Sequence, residues 1–262
     1  MAKRKRIKDF RASRDLLPDN IFASRPKGNR ERPTDLVRRR DWSGIMHLPD
    51  DVALQTSNHH GRRLKFMYRL WGDWIEAIGD DHDALFDAML DAADCFQSST
   101  FDALHGYYRS GLSNLRAALD LVAIGALGNL SPSDPVYARW KQSTARLVFP
   151  REQLRRLSGE PASTLLFKQG GWMNGLYDEL SAFAHSRPDA SDGAMWESNG
   201  PVYRPDAFIR VFAGQTATYV ACYHMVKVGR PSFTPPRKSE AIFLPPIATP
   251  EGERMYRQLF GI

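Results

Sequence analysis

A chain of 262 residues with 42% hydrophobic content can bury one sizeable core. Its net charge of +6 is concentrated at one end: residues 1 to 40 hold 14 Lys or Arg against 5 Asp or Glu, whereas the remainder holds 22 against 25. No apolar run reaches the roughly 18 residues of a bilayer span. The segment MAKRKRIKDF lacks the apolar stretch of a secretory leader, and Cys95 and Cys222 make neither a disulfide framework nor a metal motif. These features exclude a membrane protein and point to a cytoplasmic globular one.

Residues 1 to 60 read as a basic extended arm, poor in periodicity and interrupted by Pro18, Pro26, Pro33 and Pro49. Two clusters, one of Lys3, Arg4, Lys5, Arg6 and Lys8 and one of Arg38, Arg39 and Arg40, are the candidate nucleic-acid contacts. Such clusters displace condensed counterions from a phosphate backbone, which gives sequence-independent, salt-sensitive binding. His59 and His60 are adjacent and read as surface loop residues.

The helical body, residues 61 to 229, opens with RRLKFMYRLWGDWIEAIG. Its Leu64, Met67, Tyr68, Trp71, Trp74 and Ile75 follow helical spacing, and Gly79 is the stop. In the next helix Leu85, Phe86, Met89, Leu90 and Ala93 form the apolar side, opposite Asp83, Asp87, Asp91 and Asp94. Carboxylates on one helix do not converge on a cation, and no Glu-x-x-His pattern is present, so a solvated acidic face is expected and no metal site.

Phe101 to Leu127 reads as one central helix, capped by Ser98 or Ser99. Leu104, Tyr108, Leu112, Leu115, Leu119, Val122 and Ala126 form its core seam. A second line, containing Gly111, Ala118 and Gly125, admits a neighbouring helix backbone, either from a second copy in a homodimer or from the same chain. A third line is polar: Arg109, Ser113, Arg116 and Asp120.

A helix is expected from Asp134 and Pro135, carrying Val136, Trp140, Thr144 and Leu147, and a short one over REQLRRLSG. Residues 171 to 188 form another helix, with Asn174, Asp178, Ser181 and His185 as a polar line of the same spacing as the one on the central helix. Packing these two lines together defines the candidate site: His185, Arg109, Arg116 and Asp178. The structural alternative pairs Arg116 with Asp120 and Asp178 with Arg109 or a surface lysine, and leaves His185 to cap the helix end through its ring. Residues 205 to 229 form a last buried helix, and residues 230 to 262 a proline-rich arm with a short terminal helix carrying Met255, Leu259 and Phe260. The expected class is all-α, a single helical bundle with an arm at each end.

The pairing of YYRSGLSNLRAALDL with LYDELSAFAHSRP resembles the HEPN-like superfamily over about residues 62 to 228. That resemblance implies a helical bundle of a prokaryotic defence or toxin-antitoxin system, often a homodimer, whose composite site binds or cleaves RNA without metal. His185 matches the motif's His, while Asp178, Glu179 and Leu180 stand where its Arg belongs. Arg109, Arg116 or Arg187 would then supply the positive charge near the phosphate.

The phosphate loop, the dinucleotide fingerprint, the zinc-protease helix and the nucleophile elbow are all absent from the sequence, and no cofactor is expected. Two functions remain. One is an RNA-binding protein or metal-independent endoribonuclease. The other is a non-catalytic assembly subunit whose arms tether nucleic acid or a protein partner.

Overall fold

A computed structural model of the chain describes residues 39–80, 82–144, 148–160, 162–184 and 201–234, together with Arg254 and Arg257. Among these residues all regular structure is α-helical, as expected. The helices are α1 (Arg39–Ile78), α2 (Ala84–Leu104), α3 (Tyr108–Leu130), α4 (Pro135–Lys141), α5 (Arg151–Leu157), α6 (Ala162–Phe167), α7 (Trp172–Ala184) and α8 (Pro205–Gly229). No helix among the described residues is long and apolar enough to cross a membrane. The chain divides into two units, residues 1–45 and 46–262. In the first, the described residues 39–45 are helical. The second contains the core.

Local chemistry sets the helix starts. The Asp83 carboxylate accepts from the Phe86 amide at 2.8 Å and caps α2. Asp134 does the same for α4 through the Val136 amide, also at 2.8 Å, and Pro135 fills the first helical position, where no amide donor is needed. Pro205 occupies the equivalent place in α8.

Helix α3 is the centre of the bundle, packed by α2, α8 and α7. Tyr108, Leu112, Leu115, Leu119, Val122 and Ala126 are buried, as the seam predicts. The small-residue line is filled from within the chain. A Cβ on Gly125 would lie 2.5 Å from the Ala88 Cβ, and one on Gly111 would lie 3.2 Å from the Ser99 carbonyl, so α2 occupies this groove. On the far side α8 presses in, with Gly229 against Ala126. An aromatic group closes the core between α1, α2 and α8. Phe96 stacks on Tyr219 at 3.9 Å between centroids, Trp74 meets Phe96 and Tyr223 edge-on, and the Trp74 indole donates to the Met89 carbonyl at 3.0 Å. Burying each such ring contributes about 1.5–3 kcal/mol.

Several expectations need correction. The arm predicted over residues 1 to 60 is not extended throughout, because α1 begins at Arg39 and contains Pro49. Its hidden seam is Val52, Thr56 and His60, one residue per turn, with the Thr56 hydroxyl donating to the Val52 carbonyl at 2.9 Å. Two of those three are polar, so the spacing did not register as apolar. His60 is a buried residue in a kink of α1 rather than a loop residue. The central stretch is also not one helix. Gly106 adopts φ +84° between α2 and α3, a conformation that ends a helix and favours glycine. Ser99 consequently lies buried inside α2 instead of capping α3. Tyr68 and Ile75 leave the core face of α1, which is built on Met67, Leu70, Trp74 and Ile78.

Helix α4 stops at Lys141, short of Thr144, and Leu147 lies outside the described residues. Helix α6 had no counterpart in the sequence reading. Asp87, Asp91 and Asp94 are exposed as expected, but Asp83 is engaged at the α2 cap. No group of side chains suited to a metal ion occurs among the described residues. Burial raises both thiols, Cys95 to about 11 with help from Asp91 and Asp94, and Cys222 well above its ordinary value, which disfavours the reactive thiolate; Cys222 is buried and Cys95 partly so.

Candidate functional site

Helices α3 and α7 pack together, and their polar lines meet in part. The guanidinium of Arg116 donates to the Ser181 hydroxyl at 3.0 Å, to the Tyr177 hydroxyl and to Asp120 one turn along its own helix. It also lies 4.9 Å from the centre of the Tyr177 ring. The Tyr177 ring is backed by Phe149 at 4.8 Å.

Asp120 is the unusual member of this cluster. Its side chain is 2% exposed, and Oδ1 finds no hydrogen-bond partner among the described residues. Burial drives its carboxyl up to about 7, against the opposing pull of Arg116. A group poised near neutrality in a partly satisfied pocket has the electrostatic character of a functional residue, although a structural ion pair can produce it too. The arrangement realises one part of the structural alternative, the pairing of Arg116 with Asp120, but not the pairing of Asp178 with Arg109.

Arg109, one helical repeat earlier, is placed differently. Its Nε donates to the Phe183 carbonyl at 3.2 Å, at the C-terminal end of α7. Arg210 of α8 approaches the same residue from another side, with its guanidinium 4.8 Å from the Phe183 ring centre, and it pairs with Glu179 at 3.4 Å. Two arginines therefore flank the last described turn of α7. The described part of α7 ends at Ala184, one residue before His185.

The predicted residues thus separate. Arg109 and Arg116 both reach α7, at its end and its middle respectively. Asp178 points to solvent on the exposed side of α7 and joins neither arginine. Asn174 is buried and donates to the Lys168 carbonyl at 2.6 Å, which closes the turn before α7. Ser113 donates to the Arg109 carbonyl of its own helix at 3.0 Å. His185, Lys3, Arg4, Lys5, Arg6, Lys8, Arg38 and Arg187 lie outside the described residues, as do Met255, Leu259 and Phe260. Arg39 and Arg40 are helical in α1.

Sequence reasoning missed Tyr177 and Arg210. Tyr177 stands one turn before Ser181 and could have been added to that line. Arg210 carried no comparable signal, standing as one of several polar side chains on α8 with Asp206, Gln215, Thr218 and Lys227. Between α7 and α8 runs a groove of about 410 Å³, whose lining includes Leu112, Trp172, Gly175, Glu179, Arg210 and Gly214.

Comparison with protein-family models, curated proteins and solved structures finds no match for this chain.

Proposed function

We propose that this protein is an HEPN-like RNA-binding protein that cleaves RNA without metal, with Arg109 supplying positive charge beside His185. The observation that supports this reading is the Arg109 contact with the Phe183 carbonyl, which fixes a guanidinium two residues before His185 in the chain. Arg210 adds a second cation at the same helix end. In this mechanism the neutral His185 imidazole takes the proton of a ribose 2′-hydroxyl. The 2′-oxygen attacks the adjacent phosphorus to form a 2′,3′-cyclic phosphate, the bond to the 5′-oxygen breaks, and that oxygen takes a proton from water and leaves as a 5′-hydroxyl. An arginine beside the phosphate stabilises the charge that gathers on its oxygens. The basic residues 1 to 40 would hold the strand by its backbone.

The place in a prokaryotic defence or toxin-antitoxin system rests on the family resemblance alone, the cytoplasmic location on the composition and N-terminal sequence, and the homodimer on the resemblance together with the small-residue line of α3. Because α2 fills the small-residue groove of α3, a dimer would use another face. A second reading, a non-catalytic assembly subunit, is favoured by the full engagement of Arg116 with Asp120, Tyr177 and Ser181, which leaves that arginine to structure.

Mixed RNA incubated with the protein in EDTA separates the two. The catalytic reading expects cleavage that His185→Ala abolishes and Arg109→Ala reduces at least tenfold, with thermal stability of the histidine variant within about 1 kcal/mol. No cleavage of any RNA by the wild-type chain, together with a destabilised His185→Ala variant, would favour the assembly subunit.

A further inference from the structure

The outer side of α1 carries a feature that the candidate site does not use. From Val52 to Gly72 the chain contains no Asp or Glu, yet it holds Arg62, Arg63, Lys65 and Arg69. All four side chains are exposed, and none is in an ion pair among the described residues. Arg62, Lys65 and Arg69 are spaced by three and four residues, so they share one helical face. Arg63 turns away from them, toward the His60 ring at 3.3 Å.

Aromatic surfaces accompany this row. Tyr68 is 69% exposed, an unusual position for a large ring, and it stands between Lys65 and Arg69 in the chain. At the other end His59, exposed and three residues before Arg62, stacks on Tyr203 at 5.4 Å with the planes 23° apart. Tyr203 is anchored in turn by its hydroxyl contact with His60 at 3.3 Å, and the His60 ring stacks on Phe208 at 4.3 Å. The stacking pair is therefore joined through His60 to the buried Phe208 of the bundle.

We propose that the face of α1 from His59 to Arg69 binds single-stranded RNA, its cations following the phosphates and its aromatic rings offering platforms to bases. The inference rests on the RNA-binding reading above but places a contact surface on the folded body, separate from residues 1 to 40. Seven residues of helix advance about 10 Å, close to the rise of three stacked nucleotides in one strand. A single row of cations interleaved with exposed rings suits an unpaired strand, whose bases are free to stack. A duplex hides its bases, and an anionic lipid surface would reward charge without needing the rings.

The test measures fluorescence anisotropy of a labelled single-stranded RNA of about 12 nucleotides with the full chain over a range of salt concentrations. Replacing Arg62, Lys65 and Arg69 together by Ala should weaken binding at least tenfold near 0.1 M salt and reduce the log–log salt slope by about 2. Tyr68→Ala should weaken binding roughly tenfold while leaving the slope unchanged, and Tyr68→Phe should restore it. These residues are exposed, so circular dichroism should show the variants folded. Wild-type affinity and slope in the triple variant would overturn the α1 surface and leave RNA binding to the basic leader intact. A wild-type chain that binds no RNA would overturn both. Equal losses for duplex RNA or for vesicles containing phosphatidylserine, with no effect of Tyr68→Ala, would make the face a generic anion surface and reject the single-strand assignment.

Discussion

Replacing Asp120 by Asn tests whether the Arg116 cluster is an electrostatic burden carried inside the fold. The folded carboxyl is pushed up to about 7 from an ordinary 3.8, mainly by burial and in spite of Arg116. A carboxyl whose folded value exceeds its unfolded value favours the folded state most in acid, and that contribution is lost as pH rises through the folded value. Above about pH 5 the folded chain keeps a proton over roughly two pH units that the unfolded chain has already released, and at about 1.4 kcal/mol per unit this amounts to roughly 2.5 kcal/mol. The side chain is 2% exposed, so water screens little of the effect. Asn keeps the shape and can still accept from Arg116, but it has no proton to exchange in this range. Urea denaturation of both proteins at about pH 5, 7 and 8.5 should therefore show the wild type losing roughly 2.5 kcal/mol relative to Asp120→Asn across the series. A stability difference that stays constant with pH to within about 0.5 kcal/mol would refute the reasoning and mean that Asp120 remains ionised beside Arg116 throughout.

Arg230→Ala removes two charged hydrogen bonds to Asp83, at 2.6 and 2.9 Å, and one to the Ile78 carbonyl at 3.0 Å. It should cost roughly 2–3 kcal/mol in chemical denaturation at neutral pH. Burial raises Asp83, but the bonds from Arg230, Asn129 and the Phe86 amide outweigh it and hold the carboxyl at about 2, so its contribution is present above about pH 4 and lost toward pH 2. The variant should accordingly show a shallower acid limb. Gly125→Ala would place a Cβ 2.5 Å from that of Ala88, and despite better helix propensity it should destabilise by about 1–3 kcal/mol in thermal melts. Gly72→Ala, with nothing within 4 Å, should instead stabilise by roughly 0.5–1 kcal/mol.

The parts of the fold that were legible in the sequence were those with a strong apolar period. Leu112, Leu115, Leu119 and Val122 mark α3, and Phe208, Val211, Phe212 and Tyr219 mark α8, because both helices are buried on several sides. Legibility failed where polar side chains do the packing. The seam of Val52, Thr56 and His60 packs through a back-bonded hydroxyl and a ring stacked on Phe208, neither of which resembles a hydrophobic repeat. It failed again at Gly106, where helical spacing continues across a turn that one positive φ creates. For the candidate site, spacing correctly brought Arg116 to Ser181, but it could not tell that Asp178 faces outward. Equal periodicity on two helices fixes which residues share a line, not which line each helix turns toward the other. Arg210 was invisible for a related reason, since a third helix delivers it and its role depends on tertiary packing alone.

The Asp83 carboxylate has a consequence for how the bundle comes together. One side chain caps α2, accepts the Asn129 amide at the end of α3 at 2.7 Å, and receives Arg230, 147 residues away, just beyond α8. Closing so long a loop costs entropy that is recovered only once all three helix ends stand in place. Loop-closure entropy therefore predicts that the knot is a latecomer in assembly, a latch that engages after the helices have met. Such contacts, absent from the folding transition state, slow the escape from the native state without hastening its formation. Their loss shortens the lifetime of the folded chain more than it slows its folding. Through this one carboxylate α2 and the chain leaving α8 are tied to each other as well as to the end of α3.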